Sequence, residues 1–270
     1  MKPARNRIAN GYADSLRNIV VRSAAPVPAA ARTADGSLRI ASYNIHKCVG
    51  TDGRFDPDRI RHVIRELSAD VVALQEVDQR FGDRAGLLDL PRLEAETGLV
   101  PVPTNGHPRA HGWHGNLVLV RGARVQNVEQ LALPGLEPRG AVIADLDFGP
   151  GRAARVIGTH FGLLRRSRHR QASLLASYLR TSDRGAVLMG DLNEWRIDRG
   201  SPLARYLDDH GETNADAPPS FPARMPLLPL DRIIASAPGA LGGVRVHHSP
   251  LARVASDHLP ICADWSPAPA

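Results

Sequence analysis

The sequence predicts an α/β (α+β) chain in which two packed mixed β-sheets are flanked by helices. Three observations lead there. About nine or ten strand-like runs share roughly 230 residues with three or four helix-like runs. Several strand runs are adjacent in sequence, and the residues able to do chemistry sit at or just past the ends of apolar runs.

Residues 1–37 read as a separate basic N-terminal arm and Ala/Pro linker, and residues 38–270 as a single folded domain. The arm holds six basic groups (Lys2, Arg5, Arg7, Arg17, Arg22, Arg32) against two acids (Asp14, Asp35) and ends in an Ala/Pro tract over 24–31. Ile8, Tyr12, Leu16, Ile19 and Val20 fall on one helical face, so a peripheral membrane or partner contact is one reading of the arm. Arg17 and Asn18 interrupt any secretory apolar region.

The elements follow in order. Residues 38–44 alternate apolar and polar side chains as a strand does. Asp56 caps a helix opened by Pro57, with Ile60, Val63, Ile64 and Leu67 at helical spacing. Residues 71–74 are a continuous apolar run, the mark of a strand buried on both faces. Further strands are expected at 117–121, 125–131, 141–146, 155–159, 186–189, 231–235, 244–247 and 260–265, and helices at 92–97, 167–179 and 202–208. There is no internal repeat.

Composition narrows the function classes. No apolar run approaches the ~18 residues of a membrane-crossing helix, and 43% hydrophobic residues are too many for a wholly disordered chain. Two cysteines, Cys48 and Cys262, exclude a disulfide framework and a four-cysteine zinc site, and point to reduced thiols in a cytoplasmic protein, which is expected to be a monomer.

Asn44 ends the first strand, Gln75-Glu76 the second and Thr159-His160 another. Gly190-Asp191-Leu192-Asn193 follows a fourth, Asp231 opens a fifth, and Ser256-Asp257-His258 precedes the last. Such a set supplies hard oxygen ligands for Mg²⁺ or Mn²⁺ and titratable groups for proton transfer. Each has a plainer reading alone: a solvated strand end for Glu76, a half-buried ring for His160, an Asx turn for Asp191 and Asn193. Taken together, they span the whole folded region.

This ordered set resembles the endonuclease/exonuclease/phosphatase superfamily of deoxyribonuclease-I-like, metal-dependent phosphohydrolases, over residues 38–265. Asn44-Ile45-His46-Lys47, His114-Gly115-Asn116, Gly190-Asp191-Leu192-Asn193-Glu194-Trp195-Arg196 and Leu230-Asp231-Arg232-Ile233 resemble an uncharacterised bacterial branch. The resemblance implies a four-layer sandwich and a Mg²⁺ site at Glu76, with Asn44 and Asp257 in or beside the coordination shell. It implies that Asp191 orients or deprotonates the attacking water, that Asn193 holds a phosphoryl oxygen, and that His160 donates to a phosphate oxygen. His258, paired with Asp231, acts on the phosphate or as base; the choice between Asp191 and His258 stays open. Asn116, Arg139, Arg165 and Arg168 are the expected substrate-binding residues, the last two from the basic run Arg165-Arg166-Ser167-Arg168-His169-Arg170. His46, where abasic-site endonucleases of the superfamily carry Asp, argues against that branch. A phosphodiesterase acting on DNA or RNA is the favoured expectation, a phospholipid or inositol-phosphate hydrolase the alternative, and a non-catalytic binding protein the third reading.

Overall fold

The computed structural model describes residues 36–182, 184–196, 201, 203–204, 217–237 and 240–267. The arm up to residue 35 and the helix expected over 202–208 lie outside the described residues, apart from Leu203 and Ala204, which are helical.

The strands are β1 (Leu38–Asn44), β2 (Val71–Gln75), β3 (Val100–Pro101), β4 (Leu117–Val120), β5 (Arg124–Leu133), β6 (Arg139–Asp147), β7 (Ala153–His160), β8 (Gly185–Asp191), β9 (Asp231–Ala235), β10 (Arg245–Val246) and β11 (Ile261–Trp265). The described helices include α1 (Pro57–Leu67), α2 (Leu90–Thr97), α3 (Arg165–Arg180) and α4 (Ala252–Ala255), with a 3-10 turn over His46–Cys48. One sheet runs β10-β11-β1-β2-β4-β3 and the other β5-β6-β7-β8-β9. Each is mixed, because β1/β2 and β7/β8 are parallel while their neighbours are antiparallel.

Period-two alternation decides what lies between the sheets. Leu38 and Ile40, Val71 and Ala73, Val187 and Met189, Ile233 and Ala235, and Ile261, Ala263 and Trp265 face inward and form the central core. The alternate residues face out. Ala41, Tyr43, Val72 and Leu74 meet Ile60, Val63, Ile64 and Leu67 of α1, while Ile157, Leu188 and Ile234 meet Leu175 and Leu179 of α3. The result is helix, sheet, sheet, helix, the predicted four layers.

Helix α1 starts where expected: the Asp56 side chain accepts from the Arg59 amide, and Pro57 occupies the first helical position, where its missing N–H costs nothing. Helix α3 begins two residues earlier than its apolar pattern and has no side-chain cap and no acid in its first turn.

Candidate active site

The inward-facing rows stay apolar until they reach one end of the sandwich, where they turn polar together. Asn44, Gln75, His160, Asp191 and Asp231 continue the parity of the core residues before or after them. Register then aligns them: Asn44 lies opposite Gln75, His160 opposite Asp191, and Asp191 opposite Asp231. This end holds the carboxyl ends of both parallel pairs, the place where α/β sheets present ligand-binding groups.

Asp191 is the centre of the arrangement and is buried. Its Oδ2 accepts from Asn44 Nδ2 at 3.0 Å, a bond that crosses from one sheet to the other. His160 Nε2 stands 3.3 Å from the same oxygen and His258 Nε2 3.7 Å. The other oxygen, Oδ1, accepts from the Asn193 amide at 3.0 Å, an Asx turn that holds Asn193 at a φ of 50°. The Asn193 side chain donates to Phe161 O at 2.9 Å and lies 3.2 Å from His160 Nε2.

Behind Asp191, His258 Nδ1 is 2.8 Å from Asp231 Oδ2. Ser220 Oγ donates to the same Asp231 oxygen at 2.5 Å, and the Phe221 ring covers the imidazole at 4.8 Å between centroids. Asp231 Oδ1 is buried with no partner among the described residues. Burial disfavours charge on His258, but the charge and hydrogen bond of Asp231, followed by the charges of Asp191 and Asp257, outweigh it and push the pKa up to about 10. His160 goes the other way. Burial dominates there, with Asp191 opposing it and Arg139 adding to it, and the pKa falls to about 4. At neutral pH one buried imidazole is charged and the other is not. The neutral ring has one hydrogen to place: on Nε2 it is donated to Asp191, and on Nδ1 it leaves Nε2 to accept from Asn193.

Glu76 and Asp257 flank Asn44. Both are met by the loop after β1, where His46, Lys47 and Cys48 form a single turn with φ of 44°, 52° and 60°. For residues with a side chain this left-handed run is sterically unfavourable; it is held by the His46 amide donating to Asn44 Oδ1 at 3.0 Å. The turn sets the Lys47 ammonium on Glu76 and brings His46 Nδ1 within 3.7 Å of Asp257. Burial raises the Glu76 pKa, yet the Lys47 bond and the charge of His160 more than offset this and hold it below the usual range.

These oxygens suit a hard divalent cation. Among the described residues no three His, Cys, Asp or Glu side chains are gathered into a ready cage. Mg²⁺ commonly takes only one or two carboxylates and completes its shell with water and phosphate oxygens. Glu76, already facing one cation in the Lys47 ammonium, with the carboxamide of Asn44 and the carboxylate of Asp257, fits that sparse pattern.

Beside His160 the floor opens into a cleft of about 180 Å³, walled by Lys47, Arg84, Trp113, His114 and Arg139 among others. Arg139 lines it with its guanidinium on Glu137 at 2.9 Å. Arg165 is exposed on the first turn of α3. Two expected substrate contacts are corrected. Arg168 is buried: it pairs with Glu194 at 3.2 Å and donates to Leu163 O, because the helix turns this position toward the sheet. Asn116 is buried too, its amide spent on Trp113 O and Gly140 O at 3.1 Å each, so it braces the cleft wall from behind.

The family model for the Endonuclease/Exonuclease/phosphatase family matches residues 41–258. The chain belongs to the endonuclease/exonuclease/phosphatase family. Members of this family generally hydrolyse phosphoester bonds, and typically use divalent metal ions. The chain is also 31% identical over 261 residues to the uncharacterised protein YbhP of Escherichia coli (strain K12), covering 86% of this chain and 98% of that one. Among solved structures, the family member from Beutenbergia cavernae DSM 12333 superposes with a TM-score of 0.64 at 24% identity, over 86% of this chain and 72% of that chain. D. rerio TDP2 in complex with single-strand DNA product superposes at 0.59 with 16% identity, over 86% and 100%. These likenesses show the same two-sheet fold.

Sequence reasoning did not single out Ser220, Phe221, Glu194 or the cleft residues Arg80, Arg84 and Trp113. Of these, only Glu194 carried a signal, as part of the motif that runs from Gly190 to Arg196. The others are assembled by folding from stretches with no periodicity.

Proposed function

We propose that this protein is a divalent-metal-dependent phosphodiesterase, with nucleic acid as its favoured substrate. The observation that carries the reading is the line Asp231–His258–Asp191, buried, hydrogen-bonded at its rear and ringed at its front by Asn44, His160 and Asn193.

A phosphodiester is an anion, so attack by water must overcome repulsion and the charge that builds on phosphoryl oxygens. A divalent cation held by Glu76 with Asn44 and Asp257 would supply charge neutralisation there. The protein's own groups divide the remaining work. Asp231 and Ser220 fix the orientation of His258, and the charge and hydrogen bond of Asp231 favour its protonated ring, which suits it to donate to a phosphoryl oxygen. That leaves Asp191 as the proton acceptor for the attacking water, steered by Asn44. Neutral His160 and the Asn193 amide donate hydrogen bonds without adding net charge.

Support for a polyanionic substrate comes from exposed Arg165, Arg166 and Arg170 on α3. The lipid alternative has its own observation: Leu136, Leu163, Leu164 and Trp195 are exposed on segments next to the site.

The test is a panel of DNA, RNA, phospholipid, inositol phosphate and an aryl phosphodiester, with Mg²⁺ or Mn²⁺ and with chelator. Nucleic acid should be cleaved, chelator should stop it, and Asp191→Asn should lower turnover by about 10²- to 10⁴-fold. Inertness on every diester in the presence of metal would sink the proposal, and cleavage of phospholipid alone would replace its substrate.

A further inference from the structure

The cleft beside His160 carries charge that the proposed hydrolysis does not use. Its three acids are each satisfied from within the protein. Glu76 holds Lys47; Glu137 holds Arg139 and accepts from the Leu163 amide at 2.7 Å. Asp78 accepts from the amides of His111 at 2.7 Å and Gly112 at 3.3 Å. Arg80 and Arg84 remain. Both are exposed on the loop that forms one lip, and among the described residues no ion pair is found for either; Arg80 lies over the ring of Phe81 at 5.6 Å. The backbone of Arg84 is held at a φ of 45°, and its charge is felt by Asp78, at the base of the same loop, and by His114.

An anion is the occupant that this wall would attract. At about 180 Å³ the cleft is smaller than the ~300–1,000 Å³ that encloses a drug-sized ligand, so it suits one substituent of a larger substrate. Its inner end is His160 and Arg139, which places it directly beside the Asp191 centre.

We propose that this cleft is a subsite for a second phosphate of the substrate, near the phosphoester attacked beside Asp191, with Arg80 and Arg84 as its recognition residues. The position of the first phosphate rests on the phosphodiesterase reading above. The second could be the neighbouring phosphate of a polynucleotide or a ring phosphate of an inositol phosphate; both present the same anionic oxygens.

Two measurements test it. The first needs no turnover: calorimetric titration of the full chain with inorganic pyrophosphate in the presence of chelator. Binding is expected, weakened about tenfold or more in the Arg80→Gln/Arg84→Gln variant, as for loss of charge-assisted hydrogen bonds. Arg65→Gln/Arg92→Gln, on the exposed faces of α1 and α2, removes the same two charges elsewhere and controls for net charge. No binding, equal binding by Arg80→Gln/Arg84→Gln, or an equal loss in Arg65→Gln/Arg92→Gln would overturn the subsite.

The second compares kcat/KM, with metal, for a dinucleotide with and without a 5′-phosphate and for glycerophosphoinositol with and without a ring phosphate. One pair should show a preference of about tenfold for the added phosphate, which Arg80→Gln/Arg84→Gln loses; the pair that shows it names the source. Turnover with no preference in either pair overturns the proposal. No turnover of any diester alongside the expected pyrophosphate binding would instead remove the phosphodiesterase reading and leave the anion site standing.

Discussion

At Asp191 Oδ2, three side-chain nitrogens lie at 3.0, 3.3 and 3.7 Å, two from the ends of strands β1 and β7 and one from the loop before β11. Two of them belong to histidines whose surroundings push them in opposite directions, and this has a measurable consequence. In the metal-free protein, NMR titration should find His160 neutral down to about pH 4 and His258 protonated up to about pH 10. The signs for stability differ accordingly. His258 is raised above its ordinary 6.5, so its contribution is fully present below pH 6.5 and is lost as pH rises toward 10. His160 is depressed below 6.5, so acidification from 6.5 toward 4 protonates the unfolded chain first and destabilises the fold. Chemical denaturation of His258→Gln across this range should show its deficit relative to the parent shrinking as pH rises from 6.5 toward 10. A deficit independent of pH would show that the Asp231 partnership does not shift the ring. The sequence made the identity of these residues legible through their motifs. Their opposite charge states were not legible, because they depend on which carboxylates fold against each ring.

Helix α3 shows the same division among secondary-structure elements. Its first turn is crowded with arginines at the end of a helix that favours negative charge, and the sequence offered this run as a phosphate track. The apolar positions Ala172, Leu175 and Leu179 dock the helix on the sheet, and the same rotation carries Arg168 inward to Glu194 while Arg165, Arg166 and Arg170 stay outside. Arg168→Ala should therefore cost about 3 kcal/mol in urea denaturation by stranding buried Glu194, and Arg168→Met less, since it refills the space. A cost under about 0.5 kcal/mol, normal for an exposed substitution, would contradict the buried pairing. Most elements were legible from periodicity and caps. Strand β3 and helix α4, with two and four residues, are too short to carry a period. Strand β8 runs on through Gly190 to Asp191 beyond its apolar run, because pairing with β7 and β9 continues where hydrophobicity stops.

Across the whole molecule, the net charge of +6 divides unevenly: residues 1–37 supply 6 − 2 = +4, leaving 28 basic against 26 acidic residues, or +2, for residues 38–270. Affinity for a polyanion must therefore come from the placement of arginines rather than from their number. If Arg166 and Arg170 track phosphates, each substitution by Gln should flatten the log–log dependence of nucleic-acid binding on salt by about 1 unit. An unchanged slope, measured by fluorescence anisotropy, would place the nucleic acid elsewhere. The sequence by itself determined the sandwich class, the elements and the family, since alternation, caps and ordered motifs are local patterns written along the chain. Only the tertiary structure decided that one carboxylate is the centre, that Arg168 and Asn116 face inward, and that Arg80 and Arg84 share a cleft with Arg139. Those outcomes follow from strand register and from packing between two sheets, which join residues as far apart as Asn44 and Asp191, a relation no local pattern encodes.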